Sequence, residues 1–192
     1  MGREFEKKYA ASSQVQEAIA AAFPALQSIR METSYFDTPN GALSARHMTL
    51  RLRRENELTI CTLKTPLPDG SRGEWECHAD TIDDGIRQLL QLGAPEILAQ
   101  LTAGGVVLRC GARFTRRMTQ IATSDGQAEL ALDQGVLLGG GRELPLCEVE
   151  VELKSGSEAA CLAFAADLAA RFALSEEPRS KFSRANALAQ GE

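Results

Sequence analysis

The sequence is poor in the residues that build the commonest metal and redox sites. It has only two histidines among 192 residues, and its five cysteines are scattered without a C-x-x-C pair. An odd and scattered set of cysteines argues against a disulfide framework and against a structural zinc site, and it is typical of proteins in a reducing compartment. We therefore expect a cytoplasmic protein.

Long apolar runs are also missing. The sequence has no stretch of 18 apolar residues and no signal-like N-terminal segment, so it predicts neither a membrane span nor a signal peptide. Its formal net charge is -5, from 21 basic and 26 acidic residues, which argues against a generic nucleic-acid binder. No P-loop, G-x-G-x-x-G or G-x-S-x-G motif is present.

What the sequence does contain is a series of short segments in which apolar and polar residues alternate. Alternation at every second position is typical of β-strands. The predicted strands are 4–9, 34–37, 49–54, 59–64, 73–78, 113–122, 127–133 and 147–154. Helical periodicity predicts helices at 12–28, at 83–102 with a break near Gly93 and Pro95, at 157–172 and at 181–189. Because no repeat or low-complexity linker interrupts this pattern, we expect residues 1–192 to form one domain.

The polar faces of these strands are unusually uniform in charge. Glu148, Glu150 and Glu152 share one face of a strand, because successive side chains point to opposite sides. Three acids in this arrangement repel one another unless a positive group lies nearby. Four other predicted strands also have polar or charged residues along one face. These sets are Glu4, Glu6 and Lys8; Arg51 and Arg53; Thr62 and Lys64; and Glu74, Glu76 and His78.

Two arrangements explain these charged faces. In the first, an ordinary sheet packs its apolar side on helices and exposes its charged side to water. In the second, the strands close into a barrel whose charged sides line the interior. A charged interior is costly unless each group finds a partner or a ligand. A divalent cation held by carboxylates, together with a polyanion held by lysine and arginine, would satisfy it.

A set of motifs that covers nearly the whole chain supports the second arrangement. In order, the motifs are Glu4-Phe-Glu-Lys-Lys8, Tyr35-Phe-Asp-Thr-Pro39, Leu50-Arg-Leu-Arg-Arg54, Thr62-Leu-Lys64, Gly73-Glu-Trp-Glu76, Arg113-Phe-Thr-Arg116, Ala131-Leu-Asp133, Glu148-Val-Glu-Val-Glu-Leu-Lys-Ser-Gly156 and Ser180-Lys-Phe182. The series resembles the CYTH superfamily, the triphosphate tunnel metalloenzymes, and most of all its bacterial inorganic triphosphatases. In that branch a CHAD domain often follows. None is found here, which indicates a standalone member or a chain shortened after its first domain.

The resemblance implies a fold and a reaction. The fold would be α+β, a closed eight-stranded antiparallel β-barrel with helices packed on its outside. The reaction would be the Mg²⁺- or Mn²⁺-dependent hydrolysis of the terminal phosphate of a small-molecule triphosphate, by a monomer or a homodimer that uses neither nucleic acid nor a membrane.

The resemblance also assigns roles to individual residues. It implies metal ligands at Glu4, Glu6, Asp133, Glu148 and Glu150. It implies substrate-binding positions at Lys8, Arg51, Arg53, Lys64, Arg113, Arg117 and Lys181. The residues expected to take part in catalysis are Glu4, Glu6, Lys8, Lys64 and Glu76. Three points stay open: whether Arg116 or Arg117 faces the interior, whether Glu74, Glu76 or a late glutamate accepts the proton from water, and whether a second metal ion activates the water instead.

Other functions use the same tunnel or the same charges. A class IV-type adenylate cyclase and a thiamine triphosphatase are the alternatives within the enzyme class, and a non-catalytic polyphosphate- or nucleotide-binding module is the alternative outside it. A structural protein with a solvated charged sheet is a further reading. Aromatic residues make up only 5% of the chain and show no set suited to stacking on a base, which favours the bare polyphosphate as substrate.

Overall fold

The computed structural model describes residues 2–3, 5–23, 25–67 and 72–191. These residues form one large antiparallel sheet with helices packed on it. The strands are β1 (Gly2–Arg3), β2 (Glu6–Ala10), β3 (Gln27–Asp37), β4 (Thr49–Glu55), β5 (Leu58–Pro66), β6 (Arg72–His78), β7 (Val107–Ala122), β8 (Gln127–Gly139), β9 (Arg142–Ser155) and β10 (Ser175–Glu176). The helices are α1 (Ser13–Ala22), α2 (Ile82–Gln91), α3 (Ile97–Thr102), α4 (Glu158–Phe172) and α5 (Lys181–Gln190), and a 3₁₀ turn covers Ser44–Arg46.

The strand order is β1-β6-β5-β4-β3-β7-β8-β9-β2-β10. The α+β class and the antiparallel pairing agree with the expectation. The predicted closed eight-stranded barrel differs from the structure. Among the residues that the structure describes, the sheet has ten strands, and its hydrogen-bonded order ends at β1 and β10. The reason is that the N-terminal segment pairs with two different strands. Gly2 and Arg3 pair with β6, near one end of the strand order, whereas residues 6–10 pair with β9, near the other.

The apolar sides of the strands lie under four of the helices. Helices α2 and α3 cover the outer side of β4 and β5, where Leu50 and Leu63 are fully buried. Helices α1 and α4 cover β8 and β9, where Leu130, Val149 and Val151 form a second apolar cluster. Because strand side chains alternate, this packing directs the charged residues of the same strands to the other, concave side. Both arrangements share this packing, but Asp133 and Glu148 on the concave side are fully buried, so that side is not a solvated charged face.

Helix α5 departs from the prediction that helices pack on the outside. Its Phe182, Ala185 and Ala189 join an apolar cluster with Leu137 of β8 and Leu146 of β9. Leu137 lies on the same side of β8 as Asp133, and Leu146 on the same side of β9 as Glu148, so α5 packs on the concave side. The close approach needs a glycine, since a Cβ on Gly139 would lie 2.4 Å from the carbonyl oxygen of Ala185. Helix α5 thus closes one end of the concave side.

Element boundaries agree with the prediction within two residues at β4, β5, β6, α4 and α5, but β7, β8 and β9 are five or six residues longer than predicted at one end, and β3 differs most. Helix α1 ends at Ala22 rather than near Ser28, and β3 begins at Gln27, well before the predicted start at Ser34. The cause is pairing: residues 27–33 lie between β4 and β7, and Ile29, Met31 and Thr33 point to the concave side together. The predicted break near Gly93 is confirmed, since α2 ends at Gln91 and α3 begins at Ile97.

None of the helices in the described part of the chain has the length and apolar character needed to cross a membrane.

Candidate active site

The concave side of the sheet encloses a cavity of about 370 Å³. Strands β2 to β9 all contribute side chains to its wall, together with the first residues of α5. Charged groups dominate this wall: Glu6, Lys8, Arg51, Arg53, Glu55, Lys64, Arg72, Glu74, Glu76, Arg116, Glu129, Glu150, Glu152, Lys154 and Lys181. The five charged strand faces seen in the sequence therefore meet in one place.

Basic groups dominate the part of the wall formed by β4 and β5. Arg51, Arg53 and Lys64 lie among two acids of β6, Glu74 and Glu76. Nη2 of Arg51 is 3.7 Å from a carboxylate oxygen of each acid, and Nζ of Lys64 is 3.3 Å from Glu74. These pairs hold the three cations side by side, which is the arrangement that a chain of phosphate groups requires.

Acids dominate the part of the wall formed by β8 and β9. Asp133 and Glu148 are directly opposite each other in the sheet, and Glu150 is the next inward-facing residue of β9. Each of these three residues has a carboxylate oxygen within 4.8 Å of the others, and all three are buried. We call this group the carboxylate cluster.

Three cations balance the carboxylate cluster. The ammonium of Lys181 lies 2.8 Å from Asp133, 2.6 Å from Glu148 and 2.7 Å from Glu150. Arg116 of β7 donates from both Nε and Nη2 to Asp133, at 2.8 Å each, and also contacts Glu150. Arg184, one turn after Lys181 on α5, contacts Glu148. Three buried negative charges thus face three positive ones.

The pKa values of Glu150 and Lys181 reflect the charges that surround them in the cluster. Burial would raise the pKa of its carboxyl, but the ammonium of Lys181 and the guanidinium of Arg116 outweigh burial and hold the pKa well below its usual range. Burial would likewise lower the pKa of Lys181, yet Asp133 and Glu150 raise it above the ordinary lysine value. Both groups are therefore charged at neutral pH.

Gln16 of α1 supports the cluster from behind the sheet. Its side chain is fully buried, and its Nε2 donates to the backbone carbonyls of Asp133, at 3.0 Å, and of Glu148, at 2.7 Å. The amide thereby fixes the backbone of β8 and β9 at the point where the two acids leave it. The periodic sequence of α1 places Gln16 next to the buried Ile19, but no pattern in the sequence identified this contact.

The start of the chain brings two further predicted residues to the cavity. Glu6 and Lys8 of β2 both line it, and the Nζ of Lys8 is 3.1 Å from a carboxylate oxygen of Glu6. Lys8 is directly opposite Glu150 in the sheet, which brings it near the carboxylate cluster. Glu4, the other acid of the opening motif, lies outside the described residues.

Strand β7 corrects two of the predicted substrate-binding residues. Its alternation is regular between residues 113 and 117, so Arg116 faces the cavity and the arginines at positions 113 and 117 face away. Arg113 forms an exposed ion pair with Glu143, and Arg117 forms an ion pair with Glu17 of α1. The predicted placement of Arg113 and Arg117 in the cavity is therefore wrong, and the open choice at this strand is settled for Arg116.

Several charged residues of the site were not among the predicted ones, including Glu55, Arg72, Lys154, Glu129 and Arg184. Glu129 is buried on the same side of β8 as Asp133, four residues earlier, and lies 3.8 Å from Arg116 and 3.6 Å from Lys154. Its shared parity with Asp133 was a usable signal. Arg184 could have been found only from its spacing of one helical turn from Lys181.

The carboxylate cluster has the donors that a hard divalent cation prefers. Mg²⁺ and related ions bind oxygen ligands, chiefly carboxylates. Asp133, Glu148 and Glu150 bring such oxygens close enough to share one ion, and Glu6 and Glu152 add further carboxylates to the cavity wall. The residues present therefore fit a metal of this class.

Comparison with known proteins agrees with this geometry. A family model for the CYTH domain matches residues 2–185, so the chain belongs to the CYTH domain family. An inorganic triphosphatase from Haemophilus influenzae is 29% identical over 164 residues, which cover 82% of this chain and 47% of that protein. The chain thus spans about half the length of this curated relative.

Solved structures share the fold at lower identity. A putative adenylate cyclase from Bacillus halodurans matches with a TM-score of 0.64 at 19% identity, over 94% of this chain and 96% of that one. HpAC1 from Hippeastrum, a putative adenylyl cyclase described as having a dominant triphosphatase activity, matches with a TM-score of 0.66 at 18% identity, over 98% and 95%. At these identities the likeness shows the fold alone.

Proposed function

We propose that the protein hydrolyses the terminal phosphoanhydride bond of inorganic triphosphate with the help of Mg²⁺ or Mn²⁺. The observation that supports this proposal most is the separation of charge within one cavity, with cations on β4 and β5 and a carboxylate cluster on β8 and β9. The similarity to a bacterial inorganic triphosphatase points the same way. Phosphoryl transfer needs mainly positioning and charge neutralisation, and such a cavity can supply both.

The basic wall is assigned to the substrate. Arg51, Arg53 and Lys64 would hold the phosphate oxygens, because guanidinium groups match them in pairs and an ammonium acts as a point charge. The side chains of all three are largely buried, so they lose little freedom when the substrate binds. Lys8, Arg116 and Lys181 approach from the acidic side of the cavity and would complete the surroundings of the polyphosphate.

The acids are assigned to the metal. Asp133, Glu148 and Glu150 would hold it, together with Glu6 and the predicted ligand Glu4. When bound, such a cation neutralises phosphate oxygens and stabilises the charge that develops as the phosphoanhydride bond breaks. Gln16 keeps two of the acids in register by holding their backbone.

Glu76 is assigned the role of proton acceptor. Its side chain lines the cavity, is 43% exposed and accepts a hydrogen bond of 2.9 Å from Thr62. Glu150 is less suited, because Lys181 and Arg116 already engage it. In the proposed step, a water oxygen attacks the terminal phosphorus, the bridging P–O bond breaks, and the water proton passes to the Glu76 carboxylate. Orthophosphate and pyrophosphate leave.

Phosphate release from triphosphate, with and without Mn²⁺, tests the proposal. ATP and thiamine triphosphate serve as competing substrates, and cyclic AMP is assayed beside phosphate, so that a cyclase or a thiamine triphosphatase would be recognised. We expect triphosphate to have the highest kcat/KM. Tight binding of triphosphate with no release of phosphate would show a binding module instead.

A pair of arginine variants tests the assigned wall. We expect Arg53→Gln to lower kcat/KM for triphosphate by about 10²-fold or more, since a charge-assisted contact is worth roughly 1.5–3 kcal/mol in the ground state and more as charge develops. Arg113→Gln is the matched control, because that side chain is exposed outside the cavity. Equal losses in the two variants would refute the assignment.

A further inference from the structure

Lys181 occupies an unusual position for a residue expected to bind phosphate. Its ammonium lies between 2.6 and 2.8 Å from one oxygen of each acid in the carboxylate cluster. Among the described residues, these three acids bring their oxygens close enough together to share a metal ion. The ammonium therefore sits among the same ligands that a divalent cation would use.

The charge balance leaves no room for both cations. Asp133, Glu148 and Glu150 contribute three negative charges, and Lys181, Arg116 and Arg184 contribute three positive ones. All six side chains are at most 12% exposed. Glu129 is a further buried acid, 3.8 Å from Arg116, but a divalent cation added to this group would still leave an excess of buried positive charge, which is strongly unfavourable. A cation already present has to leave.

Lys181 contacts all three acids, but the stem and position of each side chain indicate which cation can leave. Arg116 is held by two parallel hydrogen bonds to Asp133 and belongs to a strand paired on both sides. Arg184 contacts Glu148 at the side of the cluster and is also 3.8 Å from Glu177. Lys181 is the first residue of α5, has a flexible four-carbon stem, and lines the open cavity.

We propose that Lys181 is a built-in competitor of the metal, whose ammonium holds the carboxylate cluster together in the metal-free protein and is released into the cavity when a divalent cation binds. The proposal rests on the metal-dependent function proposed above and deepens it. Release would free the ammonium for the phosphate chain, so metal binding would prepare the cavity for the anionic substrate. In the metal-free state the same lysine prevents repulsion among the buried acids.

Metal affinity measured by calorimetry with Mn²⁺ alone tests this competition. Lys181→Met removes the competing charge and keeps an apolar stem of similar length, so we expect Mn²⁺ to bind at least tenfold more tightly than to the wild type. The metal-free variant should melt at a lower temperature, and Mn²⁺ should raise its melting temperature by more than it raises that of the wild type. Lys7→Met is the matched control, because Lys7 forms an ion pair with Glu176 outside the cavity, 36% exposed, and should leave the affinity unchanged.

A measurement on the unaltered protein covers the case in which Lys181→Met does not fold. Amine acetylation followed by mass spectrometry reports how accessible each lysine is. We expect Lys181 to be protected without metal and to be modified several-fold faster in saturating Mn²⁺, while Lys7 is modified at the same rate in both conditions.

The two proposals fail in different ways. Unchanged Mn²⁺ affinity in Lys181→Met, or a Lys181 that stays protected while Mn²⁺ is bound, would overturn the competition even if the enzyme releases phosphate. Tighter Mn²⁺ binding in the variant and exposure of Lys181 by the metal would support the competition even if triphosphate proved not to be the substrate.

Discussion

Because side chains alternate along β7, two neighbouring arginines face opposite sides of the strand, and their replacement should have different effects on the free energy of unfolding. Arg116 faces the cavity and binds Asp133 and Glu150, whereas Arg117 faces outward and pairs with Glu17 of α1. Replacement of each arginine by glutamine removes one positive charge from adjacent positions of the same strand. We expect a large loss of stability in Arg116→Gln and a small loss in Arg117→Gln.

The magnitudes follow from burial. Removal of one partner from a buried ion pair costs about 3–5 kcal/mol, because the other partner stays charged and unpaired. We take the lower end, about 3 kcal/mol, since Lys181 still faces the two acids that Arg116 contacts. The partner of Arg117 is 66% exposed, and surface pairs of this kind contribute about 0–1 kcal/mol.

Urea and thermal unfolding of the metal-free protein check these values. For a chain of this size, 3 kcal/mol lowers the melting temperature by roughly 6–12 °C. It also lowers the urea midpoint by about 1.5 M, with a slope near 2 kcal/mol/M. Arg117→Gln should lie within about 2–4 °C of the wild type. Equal shifts in the two variants, or a larger shift in Arg117→Gln, would refute the assignment of Arg116 to the cavity.

Three further predictions concern buried residues of the sheet and its helices. Gln16→Ala removes a buried donor from two backbone carbonyls and should cost about 1–3 kcal/mol in urea unfolding. Gly85→Ala should cost about 1–3 kcal/mol by thermal unfolding, because the new Cβ would lie 2.4 Å from Sγ of Cys61. Burial raises the thiol pKa of Cys61 and of Cys110 to about 12, so their thiolate fraction at pH 8 is only about 10⁻⁴. Native protein should therefore show little alkylation at either thiol by peptide mapping, and urea should make both reactive.

The period of the strands carried most of the correct predictions. Glu148, Glu150 and Glu152 were expected to share one side of a strand because they are two residues apart, and the structure places them so. The same reasoning placed Arg51 and Arg53 on one side of β4. Parity within a strand depends only on local backbone geometry, which is why it could be predicted without the fold.

Predictions that depended on absolute orientation were less secure. Parity separates Arg116 from Arg117 but does not say which one faces inward, because that depends on which side of β7 the neighbouring strands enclose. The position of α5 was missed for a similar reason. Its sequence predicts a helix, yet its place on the concave side depends on Gly139, which lies far from it along the chain and allows the two backbones to approach.

The divided pairing of the N-terminal segment has a consequence for the order of synthesis. Residues 6–10 are synthesised long before residues 148–152 of β9, with which they pair, and most of the sheet is made in between. Contacts between such distant parts of a chain form slowly, and incomplete sheets expose unpaired edges meanwhile. The carboxylate cluster can be completed only later in synthesis, since two of its three cations are Lys181 and Arg184. A nascent chain that has not reached these residues has Arg116 as its one cation of the three, so we expect the carboxylate cluster to assemble only after α5 has been made.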